Sequence, residues 1–195
     1  MAIITNFSDL DLTKQYSYSD YLLWQFQERV ELIKGFIRKM SPAPSMVHQR
    51  ISNNLSFELN TYFKRQSCDV FQAPFDVRLA IPSTKKDSTV VQPDLCIICD
   101  ESKLDARGCN GSPDLMIEII STNNSKHDVH TKFNLYQEAG VKEYWIIEPN
   151  DKLILVYTLV NEVFIGLKPQ VEGEKITSPL FPELDIAVED IFFKV

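Results

Sequence analysis

The chain has 195 residues, of which 44% are hydrophobic and 24% charged, so it can bury a substantial core and is too balanced in composition for disorder. Its formal net charge of −7 argues against a protein that coats nucleic acid over its whole surface. No apolar run approaches the roughly 18 residues of a membrane span, and the N-terminus lacks the basic start and apolar stretch of a signal peptide, so a cytoplasmic protein with no membrane partner is expected.

Residues 1–16 read as an N-terminal arm ahead of a single domain over 17–195. Ser19 is placed to cap a short helix over 19–28. Residues 29–40 alternate into a hairpin turning at Lys34-Gly35, and Ser41-Pro42-Ala43-Pro44 then breaks regular structure. Val47, Ile51, Leu55, Leu59, Tyr62 and Phe63 recur every three or four positions and predict a long helix over 45–66. Strands are expected near 68–72 and 75–81, then, past a polar loop over 82–89, at 90–98 and 113–121. A helix over 125–139 ends at Gly140, a natural C-cap; a strand over 143–148 and a terminal hairpin over 152–167 follow. The order helix, three strands, helix, strand is an α/β arrangement around a mixed sheet.

Charge is unevenly spread. Between Arg29 and Lys86 stand ten basic and four acidic residues, and from Val141 to Val195 five basic and ten acidic. A basic face of this kind is compatible with a phosphate-bearing substrate. The four cysteines, at 68, 96, 99 and 109, carry less chemistry. Cys96 and Cys99 have the spacing of half a metal motif, but three positions on a strand put them on opposite faces and no second pair follows. All four are expected to be reduced and structural.

The chemistry gathers on two acid-bearing strands. Asp94 follows Gln92-Pro93 within an otherwise apolar run, and Glu118 lies in Leu115-Met116-Ile117-Glu118-Ile119-Ile120. A carboxylate buried in such a run is costly unless a cation or a proton compensates it. Leu115, Ile117 and Ile119 share one face of their strand, while Asp114, Met116, Glu118 and Ile120 share the other. Pro93 removes a ladder donor just before Asp94, which predicts a bulge or a strand end there. Adjacent strands lie about 4.8 Å apart, so acids at matching heights can share one hard cation, and oxygen ligands with retained waters favour Mg²⁺ or Mn²⁺ over zinc. Asp128, Lys132 and Tyr136 then recur every four residues along one helix face, with Asp128 placed to fix the lysine. Lys132 is the group to stabilise the transition state or to help deprotonate an attacking water. Glu31 in the hairpin, His48 at the start of the long helix and Asp76 on its strand are supporting candidates for the same cleft.

Pro93-Asp94, then Glu118-Ile-Ile-Ser121, then Asp128, Lys132, Tyr136 and Gly140-Val-Lys-Glu-Tyr-Trp-Ile-Ile147, resemble the Uma2 (DUF820) family of the PD-(D/E)XK nuclease superfamily. The resemblance reaches back through Glu31-Leu-Ile-Lys-Gly35, Met40-Ser-Pro, His48-Gln49 and Asp76-Val-Arg-Leu79. It implies a restriction-endonuclease-like core (αβββαβ) with a mixed sheet flanked by helices, here with an N-terminal hairpin and a C-terminal β-hairpin added. It also implies that Asp94, Glu118 and the backbone carbonyl of Ile119 bind the metal. The superfamily's lysine stands two residues beyond the second acid; here that position is Ile120, so the resemblance implies a lysine moved to the next helix, with Lys132 as the match and Lys126 as an alternative. The expected activity is metal-dependent hydrolysis of DNA phosphodiester bonds, in a protein of a fold that commonly forms homodimers. The alternatives are a non-catalytic DNA-binding or interaction module on the same fold, and a metal-dependent hydrolase of another phosphoester.

Overall fold

The computed structural model describes residues 3–40, 43–84, 87–121 and 126–195, and for Lys126 and His127 the backbone alone. The Ser41-Pro42 half of the expected break, Lys85 and Lys86 of the polar loop and the side chain of the alternative lysine, Lys126, lie outside the described residues.

In chain order, a 3₁₀ turn at Phe7–Asp9 precedes α1 (Tyr18–Tyr21), β1 (Val30–Ile33), β2 (Phe36–Lys39), α2 (Met46–Phe63), β3 (Asp69–Gln72), β4 (Val77–Arg78), β5 (Val90–Val91) and β6 (Leu95–Ile98). A second 3₁₀ turn, Glu101–Lys103, leads to β7 (Leu104–Asp105), β8 (Gly108–Asn110), β9 (Leu115–Ile119), α3 (Lys126–Glu138) and β10 (Glu143–Glu148). The chain ends with β11 (Leu153–Val160), β12 (Val163–Gly166), β13 (Gln170–Val171) and α4 (Val188–Ile191).

The larger sheet runs β12-β11-β10-β9-β6-β3, with β13 also on β11. Its one parallel pair is β9 with β10, which is why α3 lies between them: parallel neighbours need a crossover. Ile51, Leu55, Leu59 and Phe63 of α2 pack on one face against Leu95, Ile97, Leu115, Ile117 and Trp145. Leu135 and Tyr136 of α3 pack on the other against Cys96, Ile98, Met116 and Tyr144. The central strands are thus buried on both sides, which explains their nearly unbroken apolar runs. The expected αβββαβ core is α2, β3, β6, β9, α3 and β10.

A second sheet, β2-β1-β5-β4-β8-β7, was not anticipated. Its core is Leu10, Tyr18, Val30, Leu32, Ile37 and Val90, wrapped by Phe7, Trp24 and Phe26. The β1–β2 hairpin turns where expected: Lys34 (φ 52) and Gly35 (φ 88) both lie in the left-handed region, as a two-residue type I′ turn requires.

Four readings change. The strand over 90–98 is two strands in different sheets, because Pro93 has no ladder donor and the chain leaves β5 at Gln92 to enter β6 after Asp94. The strand over 75–81 shortens to β4. The helix over 19–28 shrinks to Tyr18–Tyr21, capped by Ser17 rather than Ser19: Ser17 accepts from the Asp20 amide while the Asp20 carboxylate accepts from the Ser17 amide. Trp24 instead bridges Ile4 and stacks among Tyr16, Tyr21 and Phe26. Finally, Cys68 and Cys99 form a disulfide, whereas reduced thiols were expected. The β3–β6 register pairs Asp69 with Ile98, so one step further it sets Cys68 opposite Cys99; only Cys96 and Cys109 are free and buried.

Beyond 167 the chain completes the α2 side of the core with Ile176, Leu184, Ile186, Val188, Ile191 and Phe192. Glu143 on β10 holds this segment: it is fully buried and accepts from Ser178 Oγ (2.6 Å), the Leu180 amide (3.0 Å) and Trp145 Nε1 (2.7 Å). No helix among the described residues is long and apolar enough to cross a membrane.

Candidate active site

The β6–β9 register pairs Leu95 with Ile117, so continuing it by one residue sets Asp94 directly opposite Glu118. Both acids line a pocket of about 220 Å³, together with Glu31, His48, Gln92, Ile119, Ser121, Asp128 and Lys132. Asp94 lies just beyond the Pro93 break, off the ladder, and turns back to accept the Ile119 amide at Oδ2 (2.8 Å). The same oxygen meets His48 Nε2 at 3.2 Å. His48 sits in the first turn of α2, where Ser45 caps the helix by accepting the His48 amide (3.2 Å).

Glu118 looks toward α3. Its Oε1 accepts from Lys132 Nζ (2.8 Å) and from Tyr136 Oη (2.6 Å), residues one helical turn apart on the face the periodicity predicted. Lys132 Nζ also pairs with Glu31 Oε1 at 3.1 Å. Glu31 in turn accepts the Gln92 amide (3.0 Å), freed where the chain leaves β5. The Lys132 side chain is only 13% exposed, and Glu31 is buried on β1.

Burial pushes the Glu118 carboxyl up to about 7; the Lys132 charge opposes this, while Asp94 and Glu31 add to it. Burial would lower Lys132, yet Glu118 and Glu31 hold its ammonium well above the ordinary lysine value. Burial likewise works to lower His48, but the hydrogen bond and charge of Asp94 outweigh it and the ring is raised, with Glu118 and the Ile119 carbonyl adding to the effect. With Glu31, Asp94 and Glu118 ionised and Lys132 charged, the centre carries a formal deficit of two positive charges. Among the described residues no three His, Cys, Asp or Glu side chains converge as a ready metal cage. The protein hydrogen bonds described fall on Asp94 Oδ2 and Glu118 Oε1, and each carboxylate has a second oxygen.

The supporting residues divide. Glu31, His48 and Tyr136 touch the central groups directly. Asp128 lies exposed at the pocket wall, and Glu118 and Glu31 pair with Lys132. Asp76 does not line the pocket: it sits behind Gln92, accepting its Nε2 (2.8 Å) and Tyr21 Oη (3.3 Å). Asp114, on the same strand face as Glu118, is bound in a structural pair with Lys142 Nζ (2.6 Å) and the Cys99 amide (2.8 Å). Ile120, in the usual lysine position, packs against the α3-side core. The sequence reading missed Gln92 as well as Arg29 and Arg38, which line the pocket from the β1–β2 hairpin; the basic excess after Arg29 was the available signal.

The Uma2 family model, described as "Putative restriction endonuclease", matches residues 18–189. Among solved structures, the chain is similar to that of a putative nuclease belonging to DUF820 from Anabaena variabilis ATCC 29413, with 21% identity and a TM-score of 0.68 over 91% of this chain and 97% of that one. At this identity the likeness shows a shared fold. No curated protein matches the chain.

Proposed function

Because this chain belongs to the Uma2 family, we propose that it is a metal-dependent endonuclease that hydrolyses DNA phosphodiester bonds. The observation that carries the reading is the opposition of Asp94 and Glu118 across β6 and β9, with Lys132 against Glu118. The donor set fits a divalent ion: two hard carboxylates and a nearby backbone carbonyl, with the rest of the shell left to water, suit Mg²⁺ or Mn²⁺. Burial raises the Glu118 carboxyl, the charges of Asp94 and Glu31 add to the rise, and a divalent ion would offset both by compensating the carboxylate. Asp94, Glu118 and the Ile119 carbonyl would hold it. When bound, such an ion polarises a phosphoryl oxygen and lowers the pKa of a coordinated water.

The remaining residues position and stabilise. Lys132, kept charged by two carboxylates, offers an ammonium beside the point where negative charge builds on the phosphoryl group. Glu31 orients Lys132, Tyr136 orients Glu118, and His48 holds Asp94. A homodimer belongs to this proposal as well, and light scattering on the purified chain measures it.

A second reading, a DNA-binding module that does not cleave, draws support from the ion pairs that close Lys132 onto Glu118 and Glu31. Nicking of supercoiled plasmid separates the two. The wild type should nick with Mg²⁺ or Mn²⁺ and not with EDTA, and Asp94→Ala should lose activity by about a thousandfold or more. Undiminished nicking by Asp94→Ala overturns the site assignment; binding without nicking under every condition favours the module.

A further inference from the structure

Side chains of both signs line the pocket. Asp94, Glu118 and Asp128 come from the larger sheet and α3, whereas Arg29 and Arg38 come from the hairpin of the smaller sheet. The hairpin register pairs Glu31 with Arg38, and Arg29 stands two residues before Glu31, so all three share one face while Val30, Leu32 and Ile37 fill the core behind. The arginines therefore flank the carboxylate that holds Lys132.

We propose that Arg29 and Arg38 form a clamp for the backbone phosphate next to the scissile one, on the hairpin side of the pocket. This rests on the nuclease reading above and adds where the substrate strand lies. A polyanion approaching the acids is repelled unless cationic groups meet its flanking phosphates, and the guanidinium fork matches phosphate geometry. Arg38 is exposed and has no carboxylate within ion-pair distance among the described residues. Its cross-strand neighbour, Glu31, is already committed through Oε1 to Lys132 and the Gln92 amide. Arg29 donates to Gln92 Oε1 (2.9 Å), and a guanidinium has five N–H donors, so capacity remains for an anion.

The clamp is fixed relative to the catalytic lysine. Lys34 at the hairpin tip pairs with Glu138 of α3 at 2.5 Å, and Glu31 lower on the hairpin pairs with Lys132 of the same helix. The hairpin is thus tied to α3 at two points, and a phosphate held by Arg29 and Arg38 has a set distance from Lys132. Such a clamp reads backbone charge and no base edge, so its contribution is independent of sequence.

The test is fluorescence anisotropy with the full chain and a labelled 20-base-pair duplex, in EDTA, across a salt series. Each of Arg29→Gln and Arg38→Gln should reduce the slope of log affinity against log salt by about 0.9 and weaken binding at 0.1 M salt roughly tenfold. Arg38→Lys should keep the slope while losing part of the affinity, and Arg65→Gln, just past α2, should leave the slope unchanged. Wild-type binding with an unaltered slope in the double Arg29→Gln, Arg38→Gln variant overturns the clamp and leaves the nuclease reading standing. An equal loss in Arg65→Gln also overturns it, since any surface charge would then serve. Absence of wild-type binding at low salt overturns the clamp together with the DNA substrate it rests on. Thermal melts within a degree or two of wild type establish that the variants are folded.

Discussion

The two sheets solve the same problem differently. The central strands of the larger are buried on both faces, between α2 and the C-terminal segment on one side and α3 on the other, and two of them, β9 and β10, are five and six residues long. The smaller includes four strands of two or three residues, and its core borrows aromatic rings from the N-terminal segment. Glu118 sits on the larger sheet with Asp94 just before β6, and Glu31 and the arginines belong to the hairpin of the smaller one. A reaction centre demands fixed geometry, and a surface that receives a long polyanion tolerates more motion.

The sharpest way to break that contrast is at Lys132, which joins both sheets from α3. Lys132→Ala leaves Glu118 and Glu31 buried without their cation and should cost about 3–5 kcal/mol at pH 8, less at pH 5 where Glu118 can take a proton. Urea melts at the two pH values measure it. A similar loss at both would show that the carboxylates do not depend on the lysine.

Next in size is the core itself. Leu59→Ala, at a fully buried α2 position against the large sheet, should cost about 2–5 kcal/mol, while Phe36→Ala, at an exposed hairpin position, should cost less than about 0.5 kcal/mol. Comparable effects would erase the distinction between the sheets.

Glu118 supplies a pH signature. Its folded-state pKa of about 7 lies above the ordinary 4.5, so its protonation favours the fold. That contribution is complete below pH 4.5 and is lost as the pH rises through 7, about 3 kcal/mol in the metal-free protein. His48, raised from 6.5, changes stability in the same direction. Glu118→Gln should flatten the decline between pH 5 and 8, read by thermal melts in EDTA, and a slope as steep as wild type would refute the assignment. A smaller effect is expected at the capping box: Ser17→Ala should cost about 1 kcal/mol and fray α1 without altering metal-dependent nicking.

Hydrogen exchange tests the contrast without substitution. Amides of β9 and β10 should exchange only with global unfolding, and those of β1 and β2 sooner.

Legibility in the sequence followed the range of the signal. Period-two and period-3.6 patterns are local, so α2, α3, β9, β10 and the alignment of Lys132 with Tyr136 could be read directly. The hairpin turn at Lys34-Gly35 was legible for the same reason. Two-residue strands such as β4, β5 and β7 carry no period, and the second sheet built from them was invisible. The Cys68–Cys99 bond depends on the β3–β6 register, which neither strand encodes alone. Glu31 was a supporting candidate in sequence and a central one in space, because its partner Lys132 lies on a distant helix. The four-residue interval from Asp128 to Lys132 was legible, whereas the ion pairs of Lys132 with Glu118 and Glu31 join residues distant in sequence.

The break at Gln92-Pro93-Asp94 also defines how this protein can be taken apart. Most of the hairpin sheet lies before it, and nearly all of the acid-bearing sheet lies after it, with Asp94 the first functional residue on the far side. A chimera spliced at Pro93 would inherit Glu31 and both arginines from one parent, and Asp94, Glu118 and Lys132 from the other. Substrate grip and cleavage chemistry could then be exchanged between relatives as separate parts, provided the donor part brings a carboxylate for the host lysine and an α2 and β3, which also precede the splice, that pack on the large sheet of the host.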